Sequence, residues 1–435
     1  MKYERIKSVL LVFLVITSVV LTWNLWIFQP TYEFDDEKNV HEVSISDPKD
    51  VGDVIRPFKL LLHVDGDHFG IVDEKSVEET LHELSSWTFY DLGEEKELSR
   101  NQIQALSQNE NSLELIYPDY MPFNVYKGIL RFETETIPSG SFDRLIIQSD
   151  NWANGDGVAF FISTEEGKVY ESHVSHDHIR ALFSRLGGEL DEMLSFESYE
   201  LPDGRQTYVA AEKSVMYKYK YYADFIEPDK FQNALFKDPS YVRRNGSPDG
   251  EKYTDGTSLM NVDMTSYMIF YINPSQALEA RSNPFDPDLL KKSIEFINEH
   301  AGWTDNYKYT GVDPATQRTT FQLYFKGYPV FNNEGMSEIK LFWGKEQIYQ
   351  YQRPYFTLDI PLPHPEKANM PSGKDVLDSL LSDPKIEQGK LNMLTLGYRL
   401  YEDPENLKVF ILEPAWYYLY DGSWEQYDKA ETRGE

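Results

Sequence analysis

The chain has 435 residues, 42 Lys and Arg against 72 Asp and Glu, and a formal net charge of −30. This acidity argues against binding of the nucleic-acid backbone, which needs a basic surface. The sequence has no cysteine, which excludes disulfides, thiol nucleophiles and Cys-bound metals. The length predicts two or three domains, and an aromatic content of 14% predicts that most of the chain folds.

The amino-terminal segment is typical of a membrane anchor. Ser8 to Tyr32 is a run of 25 residues without a charged side chain. About 20 apolar residues in a helix cross the roughly 30 Å hydrocarbon layer of a bilayer. A cleaved signal peptide is the competing interpretation, but the run ends in Thr22-Trp23-Asn24-Leu25-Trp26 rather than in a small-residue cleavage pattern. We therefore predict an uncleaved transmembrane helix.

The flanks of this helix predict its orientation. Residues 1–32 carry a net charge of +2, which leaves −32 on residues 33–435. Basic flanks stay in the cytoplasm and aromatic rings favour the membrane interface, so the acidic body is expected outside a single-pass cell-membrane protein. The residues expected to set the orientation and the interface are Lys2, Arg5, Lys7, Trp23 and Trp26.

One side of the predicted helix is a candidate contact face for another membrane helix. Leu11, Val15, Ser18, Thr22 and Leu25 fall on one stripe at helical spacing. Ser18 and Thr22 are four residues apart, a spacing of small residues that lets two membrane helices approach closely. The alternative is that both hydroxyl groups bond back to their own helix, as they do in many isolated anchors.

The spacing of apolar residues predicts an α+β body of helices packed on mainly antiparallel sheets. The predicted helices are Glu74–Tyr90, Ile179–Leu190, Pro228–Phe236, Asp288–His300 and Gly373–Leu381, the last capped by Ser372. Short strands separated by turn residues lie between them, including Lys59–Val64, Tyr126–Glu133, Arg144–Gln148, Val215–Phe225 and Lys408–Glu413. Lys237–Thr257 is rich in Asp, Gly, Pro and Ser and is predicted to be a long loop.

The order of these elements predicts three domains outside the membrane, with boundaries defined only to within about ten residues. The division is a cytoplasmic tip, an anchor, an acidic tether, an amino-terminal α+β domain, a central α+β domain and a carboxyl-terminal α+β domain. Their residues are 1–7, 8–28, 29–53, 54–174, 175–283 and 284–435.

Three histidines form the strongest polar cluster. His173, His176 and His178 lie within six residues, and histidine is a common metal ligand. Because they fall between a strand end and a helix start, exposed junction residues are the favoured interpretation. The sequence does not decide whether they bind metal.

No catalytic, cofactor-binding or metal-binding residue is assigned. The motifs of hydrolases, zinc proteases and phosphate-binding loops are missing from the sequence. Alternation places Tyr217, Tyr219 and Tyr221 on one sheet face, as cross-strand packing or as a protein-contact surface. Two further alternatives stay open, namely a membrane-anchored enzyme acting on the cell wall and a ligand-binding receptor.

Three stretches together resemble the YycH family. The first runs from Ile6 to Leu11 and from Leu21 to Trp26, in the anchor. The second comprises Gly327-Tyr328-Pro329-Val330-Phe331, then Trp343-Gly344 and Tyr351-Gln352-Arg353-Pro354. The third is Leu412-Glu413-Pro414-Ala415-Trp416-Tyr417. The resemblance covers the whole order of segments, and its motifs are structural rather than catalytic.

This resemblance implies a specific function. Members of the family are single-pass membrane proteins of low-GC Gram-positive bacteria. With a sister protein, YycI, they regulate the sensor histidine kinase YycG, also called WalK, which controls cell-wall metabolism. The resemblance implies contacts with the kinase through transmembrane helices, an exterior of three domains and usually a restraining effect. It carries no catalytic residue and no cofactor.

Overall fold

The computed structural model describes Leu11, Val15, Thr17, Ser18 and residues 47–107, 111–134, 136–153, 156–201, 204–277, 288–300 and 302–428. Contacts between Cα atoms divide the chain into two compact units, Met1–His41 and Glu42–Glu435. Among the described residues, no helix has the length and apolar character needed to cross a membrane. The predicted division of the exterior into three domains stays a prediction.

The helices of the larger unit bury one apolar side each, as their spacing predicts. In chain order they are α1 Val51–Val54, α2 Glu74–Ser86, α3 Arg100–Ser107, α4 Phe123–Tyr126, α5 His176–Gly188, α6 Pro228–Leu235, α7 Leu289–Glu299 and α8 Gly373–Ser382. The predicted cap of α8 is confirmed, because the Ser372 side chain accepts a hydrogen bond from the Asp375 amide. In α2 the Asp73 carboxylate does the same for the Ser76 amide.

The first half of the larger unit is built on a nine-stranded sheet, in the spatial order β11-β10-β2-β1-β5-β7-β8-β9-β4. All its described pairs are antiparallel. A separate two-stranded parallel sheet joins β3 and β6. The strands are β1 Lys59–Val64, β2 Asp67–Gly70, β3 Thr88–Phe89, β4 Lys96–Glu97, β5 Asn111–Pro122, β6 Arg131–Phe132, β7 Ser141–Ala153, β8 Asp156–Ser163, β9 Lys168–Val174, β10 Leu194–Glu200 and β11 Gln206–Ala210.

The second half is built on a fifteen-stranded sheet, whose main path is β13-β14-β15-β16-β21-β20-β18-β19-β24-β25-β12-β22. β17, β23 and β26 branch from β18, β12 and β25. The pair β19–β24 is parallel. The strands are β12 Ser214–Phe225, β13 Arg243–Ser247, β14 Gly250–Thr254, β15 Leu259–Asp263, β16 Met268–Ile272, β17 Tyr307–Asp313, β18 Arg318–Phe325, β19 Tyr328–Phe331, β20 Glu338–Trp343, β21 Ile348–Pro354, β22 Phe356–Pro361, β23 Glu366–Met370, β24 Leu391–Asp403, β25 Asn406–Tyr420 and β26 Ser423–Gln426.

The two faces of the nine-stranded sheet pack against different clusters of apolar residues. Leu145 and Ile147 of β7 face the main core, to which the buried side of α5 also belongs. Ile146, between them, faces the opposite way and packs in a smaller cluster with Ile103 of α3. This alternation follows from the two-residue period of a strand.

The structure confirms the α+β class with mainly antiparallel sheets and corrects several elements. The helix predicted to reach Tyr90 ends at Ser86, because Trp87 is extended and Thr88–Phe89 forms a strand. Tyr126–Glu133 is not one strand, since Tyr126 ends α4 and a turn precedes β6. The predicted loop over Lys237–Thr257 is also wrong, because it contains β13 and β14, joined by a two-residue turn.

Candidate functional site

The predicted membrane contact face is described only in part. Leu11, Val15 and Ser18 are helical and exposed, with 65% and 55% of the surface of Leu11 and Val15 accessible. Their role as a contact face for another membrane helix stays a prediction. Thr22 and Leu25 of the same face lie outside the described residues, as do the predicted interface residues Lys2, Arg5, Lys7, Trp23 and Trp26.

The three clustered histidines point to different neighbours. His173 pairs with Tyr90 through backbone hydrogen bonds, and its ring stacks on the Tyr90 ring. His176 approaches the Arg180 guanidinium within the first turns of α5, and His178 stacks on Trp87. Among the described residues, no group of three or more histidine or acidic side chains is arranged to hold a metal ion.

The tyrosine-rich strand β12 packs within the fold on the side that carries its odd-numbered tyrosines. Tyr219 and Tyr221 both contact Phe325 edge-on, with ring centroids 5.2 and 5.6 Å apart. Tyr219 also contacts Tyr398. The structure therefore supports the cross-strand packing interpretation for this face. On the other face, the ammonium of Lys220 pairs with Asp403 at 2.8 Å.

Lys49, near the end of the predicted tether, is held by a set of polar contacts that we call the tether clamp, formed by Lys49, Asn298, Trp303 and Asp305. The side-chain oxygen of Asn298 accepts from the Lys49 backbone amide at 3.0 Å and from the Trp303 indole at 2.7 Å. The Asn298 amide nitrogen donates to the Lys49 carbonyl, also at 3.0 Å. The Lys49 ammonium donates to the Asp305 carbonyl at 3.0 Å. Helix α7 and the segment after it therefore hold the end of the predicted tether.

The clamp has an unusual electrostatic environment. Burial raises the pKa of the Asp305 carboxyl to about 7, although Lys49, Arg353 and a hydrogen bond from the Leu358 amide favour its ionised form. Arg353 is fully buried, and its guanidinium donates to the Gly302 carbonyl at 2.9 Å. Burial also lowers the pKa of Lys49. Protonation of the Asp305 carboxyl near neutral pH thus changes the charge beside the clamp.

A buried ionic network lies on the α3 side of the nine-stranded sheet. Glu114 is fully buried in β5 and accepts a hydrogen bond from the Arg144 guanidinium at 2.7 Å. Its other oxygen lies 3.2 Å from His63 Nε2, and His63 Nδ1 lies 2.7 Å from His68 Nδ1. Burial acts to raise the pKa of Glu114, but Arg144 and His63 together reverse this effect and lower it. Glu114 is therefore an ionised carboxylate inside the protein.

A cavity of about 520 Å³ opens beside this network, and we call it the charged cavity. It lies between the nine-stranded sheet, α3 and the hairpin β24–β25. Four cationic side chains line it, against two acidic ones, Asp143 and Glu165. An apolar wall completes it. The cations are Lys59, Arg100, Arg144 and Arg205, and the apolar residues include Phe58, Ile103, Ile116 and Leu419.

Two polar groups of residues that line the cavity lack a hydrogen-bond partner among the described residues. Lys59 donates to the Tyr208 carbonyl at 2.7 Å, and burial together with Arg144 lowers the pKa of Lys59 to about 8. The Tyr208 hydroxyl and the Arg144 Nε are buried, and neither has a hydrogen-bond partner among the described residues. The Arg205 guanidinium donates across the cavity rim to Asn392 and, at 3.1 Å, to the Leu391 carbonyl. The cavity thus joins the two sheets.

Sequence reasoning did not find this site, although a signal exists. Glu114 stands between Leu113 and Leu115, and Lys59 precedes three leucines, so each interrupts or borders a buried apolar strand. A charged residue inside such a strand needs a partner, because an unpaired buried charge is costly. The partner, Arg144, comes from a strand 30 residues away, and its register was not predictable from one sequence.

Known proteins and family models match this chain over nearly its whole length. The family described as YycH protein, N-terminal domain, matches residues 4–187, and YycH protein, C-terminal domain, matches residues 204–433. A Bacillus subtilis (strain 168) protein named two-component system WalR/WalK regulatory protein YycH is 23% identical, over 96% of this chain and 94% of that protein.

One solved structure supports the same fold. The crystal structure of YycH from Bacillus subtilis superposes with a TM-score of 0.74 at 20% identity, and covers 89% of this chain and 100% of that one. A protein from Eubacterium rectale ATCC 33656 matches with a TM-score of 0.31 at 13% identity, over 51% of this chain and 80% of that one.

Proposed function

This chain belongs to the YycH family, and we propose that it is a non-enzymatic regulator of a WalK-like sensor histidine kinase. The observation that carries the proposal is the pair of family matches, which together extend from residue 4 to residue 433. The Bacillus subtilis relative that aligns over 96% of this chain is named a WalR/WalK regulatory protein. We propose that the protein acts with a YycI-like membrane partner and restrains the kinase in its control of cell-wall metabolism.

The proposed location is the cell membrane, with one transmembrane helix, a cytoplasmic amino terminus and the body outside. The uncharged run from Ser8 to Tyr32 and its basic amino-terminal flank support this orientation. The large acidic body supports it as well, since its net negative charge disfavours adhesion to anionic lipid. Contact with the bilayer is therefore assigned to the helix alone.

The proposed mechanism is a bias between two kinase states through helix packing. Transmembrane signalling states differ by small shifts of helices. An accessory helix that packs better against one state favours it by the difference in contact free energy, and by nothing else. The stripe of Leu11, Val15 and Ser18, continued in sequence by Thr22 and Leu25, is the proposed contact face. Small hydroxyl residues at Ser18 and Thr22 allow close approach of the partner helix.

The tether clamp is proposed to connect this helix to the body. Because Asn298 bonds both the amide and the carbonyl of Lys49, a displacement of the chain at Lys49 is passed to α7. Helix α7 in turn packs on β18, where the Ser293 hydroxyl donates to the Thr319 hydroxyl at 3.0 Å. The body can thus modulate the position of the helix.

The experiment replaces Ser18 and Thr22 by Leu in the full chain and measures a reporter gene controlled by the response regulator. We expect the kinase to be released, with unchanged expression and membrane insertion, since Leu is apolar but too large for close packing. Ser18→Leu is also compared with Thr17→Leu, which makes a similar change about 100° around the helix.

If the double variant gives the same reporter output as the unmodified chain, the proposed contact face is wrong. A second variant carries an unrelated anchor in place of residues 8–28. Full control of the kinase by that variant would show that the exterior, rather than the helix, carries the regulation.

A further inference from the structure

We propose that the charged cavity binds a small organic molecule through an oxyanion, either a carboxylate or a phosphate, recognised by Lys59, Arg144 and the Tyr208 hydroxyl. This inference goes beyond the proposed regulation of a kinase, and it does not depend on it. The cavity is formed entirely by the larger unit, whereas the proposed kinase contact lies on the anchor.

The first argument is the charge of the cavity wall. None of the described carboxylates forms an ion pair with the Lys59 ammonium, which donates one hydrogen bond, to the Tyr208 carbonyl. Burial and Arg144 lower its pKa, and Glu114 opposes this only in part. A cation in such surroundings is short of negative charge, and an oxyanion placed against it supplies that charge.

The two acidic residues of the wall do not fill this role. Both carboxylate oxygens of Asp143 accept from Thr164, at 2.7 Å from its amide and 2.6 Å from its hydroxyl, and burial raises the pKa of Asp143. Glu165 accepts from the Tyr120 hydroxyl at 3.1 Å. The Lys59 ammonium therefore has no carboxylate partner on this wall, and an anion fits beside it better than a metal cation does.

The second argument is a pair of buried donors without acceptors. Tyr208 is 1% exposed, and its hydroxyl has no hydrogen-bond partner among the described residues. The same holds for Arg144 Nε, although the terminal nitrogen of that guanidinium bonds Glu114. Buried polar groups in folded proteins are nearly always paired. Tyr208 and Arg144 both line the cavity, as Lys59 does, so their two orphaned donors indicate a missing acceptor with more than one oxygen.

The volume of the cavity and its apolar lining residues indicate what the rest of the ligand is like. A volume of about 520 Å³ lies within the range of roughly 300–1,000 Å³ that is typical of small-molecule sites. Phe58, Ile116 and Leu419 add apolar surface to the lining of the same cavity. The ligand is thus an organic acid or phosphate ester with a body larger than the oxyanion. Because β24 and β25 supply part of the wall, a bound molecule contacts both sheets.

The test is isothermal titration calorimetry on the full chain in detergent, with glycerol 3-phosphate as the phosphate probe and N-acetylmuramic acid as the carboxylate probe. Binding of one probe alone identifies the source of the oxyanion. Binding of both supports recognition of the oxyanion itself. No heat from either probe up to about 10 mM, well above the range of specific sites, would overturn the proposal.

Variants of the wall make the test specific. Lys59→Met keeps the aliphatic stem and removes the charge, and we expect it to weaken binding about tenfold or more. Tyr208→Phe removes a hydroxyl that bonds nothing in the described fold, so the protein should fold normally and bind several-fold more weakly. Lys75→Met, at an exposed lysine of α2, is the matched control. Equal affinity in Tyr208→Phe and the unmodified chain, or in Lys59→Met and Lys75→Met, would contradict the assignment.

Discussion

The carboxyl of Asp305 predicts an unusual dependence of stability on pH. Burial raises its pKa from 3.8 to about 7, against the pull of Lys49, Arg353, Thr357 and the Leu358 amide. Between these two pH values the folded chain binds a proton that the unfolded chain has released. The stabilising contribution is therefore complete below about pH 4 and is lost as the pH rises through about 7.

The magnitude follows from the separation of the two pKa values. About three pH units correspond to about 4 kcal/mol, as an upper limit for a carboxyl that keeps some contact with solvent. Asp305→Asn cannot ionise and keeps an acceptor oxygen for the Leu358 amide. We expect it to be more stable than the unmodified chain by about 2–4 kcal/mol near pH 8, and about equal to it near pH 4.

The assay is urea unfolding of both proteins across this pH range, followed by tryptophan fluorescence. Asp47→Asn, at an exposed carboxyl two residues before Lys49, is the matched control. The reasoning is refuted if Asp305→Asn shows the same pH dependence as the unmodified chain, or if it is less stable near pH 8.

Three further predictions concern other parts of the fold. Glu114→Ala leaves the Arg144 guanidinium without its carboxylate partner, and we expect a loss of about 3–5 kcal/mol in urea unfolding, since one partner of a buried pair is removed. Asn298→Ala removes three hydrogen bonds of the tether clamp, which should cost about 1–3 kcal/mol and speed hydrogen exchange at the Lys49 amide. In Gly397→Ala, the added Cβ meets the Pro329 carbonyl at 2.7 Å and the Phe331 ring at 2.8 Å, which should cost about 1–3 kcal/mol and lower the melting temperature.

Five helices were predictable because each carries its own signal. The helices α1, α3 and α4 were not predicted, because four to eight residues are too few to show a clear apolar period. The apolar spacing in α5 and α7 marks the buried side, and Ser372 marks the start of α8. Strand β13 gives no such signal, because all five of its residues are exposed and polar or glycine. It forms by pairing with β14, a contact that periodicity does not report. Tyr126 was assigned to a strand because its apolar neighbours fit either class, and tertiary packing selects the short helix α4.

The candidate sites were predictable to different degrees. The proposed contact face depends only on helical spacing, so Leu11, Val15 and Ser18 could be proposed from sequence, and their role as a contact face stays a prediction. The charged cavity depends on strand register and on contact between the two sheets. Lys59 and Arg144 lie 85 residues apart in the sequence, and no local pattern joins them. Their common site became visible only from the antiparallel pairings of β1 with β5 and of β5 with β7.

Co-purification from membranes tests the central claim most directly. The full chain and a version with an unrelated anchor in place of residues 8–28 are each solubilised with the WalK-like kinase and captured through a tag on the kinase. The proposed mechanism predicts that the full chain is recovered with the kinase and that the anchor-swapped version is largely lost. Equal recovery of both would contradict a regulatory contact through the transmembrane helix.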